Sequence, residues 1–474
     1  MVPADEGGGL MRTDLLFDPV DGLDEALAAV DAFDGVLVAG LLRPQPEQAA
    51  LLAALADAVA GTPLASRVAE AVEKAAAGAA GEDHFVALAA ARTALMGSVH
   101  DALAARAGDV TGRPRAGETA PAADAEEHAV NVLAAARAWL CDLARAGWQG
   151  IDHELITGAA PVVSAMLSDP LLRRQATLFD GFAAELAASC PGAALERVPE
   201  RRWADLWSRG LLLTLPGAAR TPAMSTATGR LLPLGVDVQE HATAVQAQVH
   251  AVFEPADGTA PRLVRASVSA PKPDTVIGAG LWQLLRPRMS LLTAVGEGRS
   301  MELDAMPVTA EGDLVWDDER ARAGESADPF ATARVILSTA TDPVTAPLDR
   351  HPARIAVPVL LEGYTVEQED DGPLTFVLAG HRLAVDTDRT PAAGPLTPEA
   401  VAASGACVGL LRWDAGEFVL QPVAVETTVR KKTVAVHAGA WAGGTTDKAG
   451  ARAEKAATDS VAVLRERAGR LLRK

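Results

Sequence analysis

The hydrophobic periodicity of this 474-residue chain changes at one place, the stretch from residue 201 to residue 216 (RRWADLWSRGLLLTLP). Before this stretch, apolar residues recur at the three-to-four spacing of an α-helix, and after it they alternate with polar residues, as in a half-buried β-strand. Inside the stretch, Trp203 and Trp207 are four residues apart and therefore share one face of a helix. The pattern predicts a hinge helix that is buried against a helical half on one side and a β half on the other.

The helical half is predicted to span residues 21–216, where alanine-rich helical segments alternate with turn signals. Its clearest helix is expected at residues 122–146, which carry apolar side chains at three-to-four spacing. The preceding stretch, residues 112–121, contains two prolines and two glycines and is predicted to be an exposed loop. Residues 1–20 are expected to form a flexible N-terminus.

The β half is predicted to span residues 217–446 and to form an antiparallel sandwich or barrel-like region. Alternating apolar residues at 245–253 and 264–269, joined by a Pro-Ala-Asp-Gly turn, predict a hairpin with one solvated face. An acidic break near residues 317–330 leaves open whether the region is one domain or two lobes. Further strands are expected at residues 355–361, 374–379, 382–385, 407–413, 418–425 and 433–437. The predicted fold class is α+β, with a helical bundle, this β region and a C-terminal helix in that order.

A basic amphipathic helix is predicted at residues 447–474. Residues 430–474 contain eleven Lys and Arg against four Asp and Glu, a balance of +7, whereas the whole chain carries −19. Three targets for this helix stay open: the acidic body of the same chain, a groove on a partner protein, or nucleic acid or a membrane. The residues expected to mediate interactions are Trp203, Trp207, Leu464, Arg465, Arg467, Arg470, Leu471 and Arg473.

Charge and cysteine content disfavour several classes of protein. A net charge of −19 and a pI near 4.9 disfavour binding to nucleic acid or anionic membranes outside the basic C-terminus. The three cysteines, Cys141, Cys190 and Cys407, form no Cys-x-x-Cys pair, so neither a disulfide framework nor a cysteine zinc site is expected. No run of about 18 apolar residues is present, so we expect a soluble, cytoplasmic protein.

Candidate catalytic and metal sites are weak throughout the sequence. His241 and His250 are nine residues apart, so an unbroken strand would place them on opposite faces, where they cannot share a metal ion. The Asp-His-Glu cluster at residues 152–154 fits the exposed first turn of a helix better than a catalytic group. No Gly-x-Ser-x-Gly elbow, phosphate loop or dinucleotide fingerprint is present. The sequence therefore predicts no catalytic residue, cofactor or metal site.

Three short stretches resemble a group of uncharacterised proteins of high-GC bacteria: RRWADLW at 201–207, LLPLG at 231–235 and WQLLRPR at 282–288. Proteins of that group accompany SWIM zinc-finger proteins, MoxR-type AAA ATPases and von Willebrand A-domain proteins. This chain has no Walker motif, no metal-adhesion motif and no SWIM cysteine-histidine set, so it is none of those three partners. The resemblance implies an accessory member of such a system and carries over no functional residue.

Two functions follow from these observations as hypotheses. The first is a non-enzymatic adaptor or scaffold, which the resemblance would associate with a MoxR-type ATPase or a SWIM zinc-finger protein. The second is an enzyme of unrecognised type, with its pocket at the junction of the helical and β parts, because clefts between domains are favoured ligand sites. Converging titratable groups in a deep cleft would favour the enzyme, and a broad apolar patch rimmed by charge would favour the adaptor.

Overall fold

The computed structural model describes residues 12–117, 130–218, 224–368, 372–429 and 431–471. Helices precede strands along the chain, and a last helix follows them, which confirms the predicted α+β class. Residues 12–20 differ from the flexible N-terminus that the sequence suggested, because Leu16 is buried and Arg106 donates hydrogen bonds to the carbonyl oxygens of Leu15 and Asp18, at 2.6 and 2.9 Å. Residues 1–11 of that segment lie outside the described ranges.

The helical part packs around one apolar core that includes Phe33, Leu88, Leu140 and Phe179. The helix predicted at residues 122–146 is described from residue 130 onward, its first part lying outside the described ranges. Before residue 214, the described ranges contain nine α-helices: α1 (Leu23–Ala39), α2 (Pro46–Ala58), α3 (Ala65–Ala76), α4 (Glu82–Thr111), α5 (Val130–Ala146), α6 (His153–Thr157), α7 (Ala159–Leu167), α8 (Arg173–Ala188) and α9 (Glu200–Leu213).

Helix α4, thirty residues long, takes part in two different cores. Phe85 and Leu88, in its first half, are buried in the helical core. Val99, Leu103 and Val110, in its second half, are buried against the second sheet described below. Helix α4 therefore contributes buried apolar side chains to both the helical core and the core under the second sheet, a role that the sequence had suggested for α9.

The first sheet closes into a small barrel. Its strands are β1 (Met224–Glu240), β2 (Ala244–Pro255), β3 (Arg262–Pro271), β4 (Arg299–Thr309), β5 (Asp313–Leu314) and β6 (Ala321–Ser326), with α10 (Leu281–Leu285) and α11 (Ser290–Gly296) between β3 and β4. The pairing runs β1-β2-β3-β5-β4 and returns from β4 to β1, and the β3–β5 pair is parallel. The return from β4 to β1 closes the barrel, and the two helices lie between its third and fourth strands. Connectivity alone assigns no function.

The long strand β1 bends so that it can pair with β4 and β2 in turn. At Gly229, which has φ +149°, a Cβ atom would lie 2.2 Å from the carbonyl oxygen of Glu254, so only glycine permits this close approach. The register also shifts between Pro233 and Gly235, as a β-bulge does. The predicted hairpin at 245–253 and 264–269 is present as β2 and β3. Its inward residues fill the barrel together with Trp282 and Leu291 of the helices.

The second sheet runs in the order β7-β11-β12-β10-β9-β8, with β13 paired to β12. Most pairs are antiparallel, as the sequence predicted, but β10 and β12 in this sheet and β3 and β5 in the first are parallel, so both sheets are mixed. The elements are α12 (Pro329–Val335), β7 (Val357–Glu362), β8 (Thr365–Gln368), β9 (Leu374–Leu378), β10 (His381–Val385), α13 (Pro398–Ala402), β11 (Ser404–Asp414), β12 (Glu417–Val429), β13 (Lys432–His437) and α14 (Lys448–Leu471).

The barrel and the second sheet pack face to face. Leu232 and Leu234 of the barrel share a core with Val408 and Leu410 of the second sheet. The opposite face of the second sheet covers the end of α4, and the barrel interior contacts α10, α11 and α14. Within the described ranges, none of the helices combines the length and the apolar character needed to cross a membrane.

Candidate functional site

Trp203 and Trp207 of α9 lie inside the helical core and expose no surface. The Nε1 atom of Trp207 donates a hydrogen bond of 2.9 Å to the carbonyl oxygen of Leu140. The ring of Trp203 meets Trp148 edge to face, with 5.8 Å between ring centroids. Their predicted burial is confirmed, but both indoles belong to the helical core alone. A partner protein therefore has no access to these two residues, which stabilise the fold.

Helix α9 reaches the β part through its polar side. Arg209 donates hydrogen bonds to the carbonyl oxygen of Leu348, at 2.9 Å, and to Asp349, at 2.7 Å. Asp205 lies 3.0 Å from Nε2 of His351, an ion-pair contact without hydrogen-bond geometry. Charged side chains thus make the contact of this helix with the β part, because its apolar side chains are buried in the helical core.

The first half of α14 is held on the barrel. Ala457 is buried in the barrel core, and Val461 packs against it. Glu454 accepts a 3.0 Å hydrogen bond from Nη2 of Arg286, and Gln283 donates a 2.8 Å hydrogen bond to the carbonyl oxygen of Glu454. The docking of the basic helix on its own chain, one of the three targets left open by the sequence, is therefore present for this half.

The second half of α14, residues 462–470, behaves differently. Val463 and Leu464 are 46% and 42% exposed. Among the described residues, no side-chain hydrogen bond or ion pair joins this half to another element; the pair between Arg470 and Glu466 lies within the helix. The predicted interaction residues Leu464, Arg465, Arg467 and Arg470 are all exposed here. The side chain of Leu471 and all of Arg473 lie outside the described part of the chain.

A cleft of about 420 Å³ opens where the helical part, the barrel and the second sheet meet. Its walls are the second half of α4, residues 115–116, the outward face of β2 and β3, the turn between β4 and β5, and residues 342–358. The charged and imidazole groups that converge there include His100, Arg115, His250, Arg265, Arg350 and Arg354. None of the predicted interaction residues contributes to this cleft.

His250 lies in the wall of the cleft, opposite Arg265 in the β2–β3 register. Its side chain is almost wholly enclosed, with the residue 4% exposed. Burial lowers the pKa of His250 to about 4, so the imidazole is neutral at pH 7. Within the described residues, its Nε2 atom has no hydrogen-bond partner. A buried polar atom of this kind is costly when it is unsatisfied, which makes His250 the most unusual group in the cleft.

Several of the charges around the cleft are already paired. Arg350 lies 3.1 Å from Asp101 on α4, and Arg265 donates a 3.0 Å hydrogen bond to Asp313. Asp342 lies 3.0 Å from Arg113. The stretch at 112–121 was expected to be an exposed loop, but its Arg113 is buried, because it meets Asp342 and donates a 2.8 Å hydrogen bond to the carbonyl oxygen of Pro358. Residues 118–121 lie outside the described ranges.

Arg354 has no carboxylate of its own. The nearest, on Asp349, is 3.7 Å away and accepts the 2.7 Å hydrogen bond from Arg209. Partial desolvation by the cleft walls, together with the neighbouring charges of Arg209 and Arg265, lowers the pKa of Arg354, although guanidinium groups stay protonated in proteins. At the same time 57% of its side-chain surface is open to solvent. Arg354 is therefore a cation that faces a concave, reachable space.

The sequence suggested a pocket at the junction of the helical and β parts but not the residues that line it, because no local pattern marks them. His100, His250 and Arg354 come from three distant segments, each of which reads alone as helix, strand or loop. Among the described residues, no group of three or more His, Cys, Asp or Glu side chains is arranged to hold a metal ion. His241 lies in an exposed turn, and the Asp-His-Glu cluster at 152–154 begins α6, with Asp152 capping the helix, as the sequence suggested.

Comparison of the chain with protein-family models, with curated proteins and with solved structures gives no match.

Proposed function

We propose that the protein is a non-enzymatic adaptor that docks on an acidic partner protein through residues 462–470 of α14. The observation that carries this proposal is the contrast between the two halves of one helix. Ala457 and Glu454 fix the first half on the barrel, whereas Leu464 and Ala468, four residues apart on one face of the second half, are exposed. An exposed apolar stripe flanked by charge is the pattern of a helix that enters a groove on another protein.

The charge of this half favours an acidic partner. Arg465, Arg467 and Arg470 are exposed and are accompanied by a single acid, Glu466. Clustered arginines at the edge of an interface steer association toward negative potential and suppress binding to basic surfaces. A short helical end without tertiary contacts is also marginally stable by itself, so docking would order it further.

The resemblance found in the sequence supports an AAA ATPase system as the setting. The stretches that carry it include Trp203, Leu231 and Trp282, which are all buried. The resemblance therefore concerns the cores of the helical part and the barrel, which fits a shared fold. The proposed partners are the MoxR-type ATPase or the SWIM zinc-finger protein of such a system, and the proposed location is the cytoplasm, where free cysteines such as Cys141 and Cys407 stay reduced.

The test is affinity copurification of the full chain with a coexpressed MoxR-type ATPase and, separately, with the SWIM zinc-finger protein. The variant is the triple charge reversal Arg465→Glu, Arg467→Glu and Arg470→Glu. The matched control makes the same change of charge at three exposed positions in the first half of the same helix: Lys448→Glu, Arg452→Glu and Lys455→Glu.

We expect the wild-type chain and the control to retain the partner, and the distal variant to lose it by more than about tenfold in affinity. All three chains should unfold at the same temperature, since neither set of residues is buried. Equal retention by the distal variant would remove α14 as the docking element. If the wild-type chain retains neither protein, the proposed association is wrong.

A second candidate function, an enzyme with its pocket at the junction, is favoured by a different observation. The cleft brings His100, His250 and four arginines together at the meeting point of the helical part, the barrel and the second sheet. Titratable groups that converge in a cleft are frequent at functional sites. A reaction requires a ligand in the cleft, and that requirement can be tested by itself.

A further inference from the structure

We propose that the junction cleft binds a small organic anion, whose carboxylate or phosphate group is held by Arg354 together with Arg265 and His250. This binding site is independent of the adaptor role of α14, because it lies on other elements. Four properties of the cleft favour such a ligand. They are the unsatisfied imidazole of His250, the guanidinium of Arg354 that shares its nearest carboxylate, the pairing of Asp101 and Asp342 with other arginines, and the size and lining of the space.

The imidazole of His250 indicates where a ligand atom would lie. Its Nε2 atom is buried in the cleft wall and has no partner among the described residues. Leaving such an atom unsatisfied costs free energy, and a ligand oxygen or hydroxyl would supply the missing hydrogen bond. Arg265, directly opposite on β3, lies close enough to His250 to lower its pKa by charge repulsion, and its guanidinium also donates two hydrogen bonds to Asp313. The pair therefore offers one neutral and one cationic contact on the same wall.

Arg354 supplies a second cation for the same anion. Its nearest carboxylate, that of Asp349, also accepts a hydrogen bond from Arg209. Two guanidinium groups therefore share one negative charge. Arg265 lies close enough to Arg354 to lower its pKa through charge repulsion. Bringing an anion between these guanidinium groups would relieve that repulsion, and a planar guanidinium binds carboxylate or phosphate oxygens with two parallel hydrogen bonds.

Asp313 offsets part of the charge of Arg265, whereas two of the three acids in the lining are paired with arginines other than Arg265 and Arg354. Asp101 is paired with Arg350, and Asp342 with Arg113. The remaining acid of the lining is Glu311, on the turn between β4 and β5. A ligand with one or two anionic groups and a hydroxyl would match this arrangement, with the hydroxyl directed to Glu311.

The size and lining of the space restrict the rest of the ligand. A volume of 420 Å³ is about fourteen times the 30 Å³ that a water molecule occupies in the liquid, enough for a small metabolite. Val344 and Val357 provide an aliphatic wall. Among the described lining residues there is no Phe, Tyr or Trp on which a nucleobase could stack. The chemistry fits an aliphatic carboxylic acid or a sugar phosphate better than a nucleotide.

The experiment is isothermal titration calorimetry of the full chain with two probes, citrate and inorganic phosphate, against sodium chloride at the same ionic strength. The variants are Arg354→Gln and His250→Phe. The matched control is Arg382→Gln, which removes an arginine outside the cleft whose side chain is 56% exposed, close to the 57% of Arg354. Hydrogen exchange of the same samples reports where each probe binds and whether each variant is folded.

We expect at least one probe to bind with a Kd below about 1 mM, and the binding to weaken more than about tenfold in Arg354→Gln but not in Arg382→Gln. Binding of citrate alone indicates a carboxylate ligand, and binding of phosphate alone indicates a phosphoryl ligand. Protection from exchange should appear in the second half of α4 and at residues 342–358. The proposal is overturned if neither probe binds, or if binding and protection are unchanged in both cleft variants.

Discussion

Arg92 donates hydrogen bonds from Nε and Nη2 to the two carboxylate oxygens of Asp34, at 2.6 and 2.7 Å, inside the helical core. Its Nη1 atom donates a third, of 2.6 Å, to Asp205. One arginine thus joins α1, α4 and α9. Because Asp205 also contacts His351, the same chain of charges leads from the helical core to the segment that forms the cleft wall.

Replacing Arg92 with Leu should destabilise the protein by about 3–5 kcal/mol, because it leaves the buried carboxylate of Asp34 without a partner. The measurement is the free energy of unfolding in urea. The control is Arg202→Leu, which breaks a bidentate pair with Glu185 on the surface and should cost about 1 kcal/mol or less. A loss in Arg92→Leu no greater than that of the control would contradict a structural role for the buried pair.

Replacing Trp207 with Ala should cost about 3–5 kcal/mol, because the ring is fully enclosed and donates a hydrogen bond to Leu140. Urea unfolding monitored by far-UV circular dichroism measures this. Trp316, which is half-buried, provides the comparison, and Trp316→Ala should be clearly less destabilising. An effect below about 1 kcal/mol at Trp207 would mean that the ring is not enclosed in solution.

The sequence indicated the helices and most strands, but it misplaced the element that connects them. The two indoles of α9 made that helix prominent, whereas α4 is apolar on several faces and its periodicity does not tell which face meets which core. Only the fold shows that Phe85 and Leu103 of one helix belong to different cores. The spacing of apolar residues predicts that a side chain is buried, but it does not predict which element the side chain packs against.

The residues that line the junction cleft could not be predicted for a related reason. Arg113 lies in a stretch rich in proline and glycine, where exposure is the usual outcome, but its partner Asp342 is 229 residues away. His250 was correctly assigned to a strand, and its alternation with apolar neighbours suggested a solvated face. That face is covered by other parts of the chain, and pairings at this distance leave no local signal.

Packing between the two sheets makes Gly235 sensitive to substitution. A Cβ atom at this position would lie 2.5 Å from Cγ2 and 2.7 Å from Cβ of Val423, so Gly235→Ala must push the sheets apart. We expect a loss of about 1–3 kcal/mol in the free energy of unfolding. Gly405→Ala is the matched control, since nothing lies within 4 Å of its added Cβ, and it should have little effect. Equal stability of the two variants would show that the sheets are not in contact there.

The buried imidazole of His250 should make the stability of the protein depend on pH. The pKa of His250 is lowered from 6.5 to about 4, because burial disfavours the imidazolium and outweighs the attraction of Asp237. In the unfolded chain the same histidine takes up a proton near pH 6.5, so between these values the unfolded state binds more protons than the folded state. The stability that His250 contributes is therefore complete above about pH 6.5 and is lost as the pH falls toward 4.

The total loss should approach about 3 kcal/mol, the free-energy equivalent of the difference between those two pKa values. The charges that face His250 include Asp237, Arg265 and Arg412, which keep their charge over most of this range. The measurement is the free energy of urea unfolding at several pH values between 4 and 7.5 for the wild type, His250→Gln and the exposed-turn control His241→Gln. The slope should flatten in His250→Gln and persist in His241→Gln. Three other groups leave a residual pH dependence, because burial also lowers the pKa of His100 and of His437 and raises the pKa of Asp34 to about 6. An unchanged slope in His250→Gln would show that the pKa of this imidazole is not lowered in the folded protein.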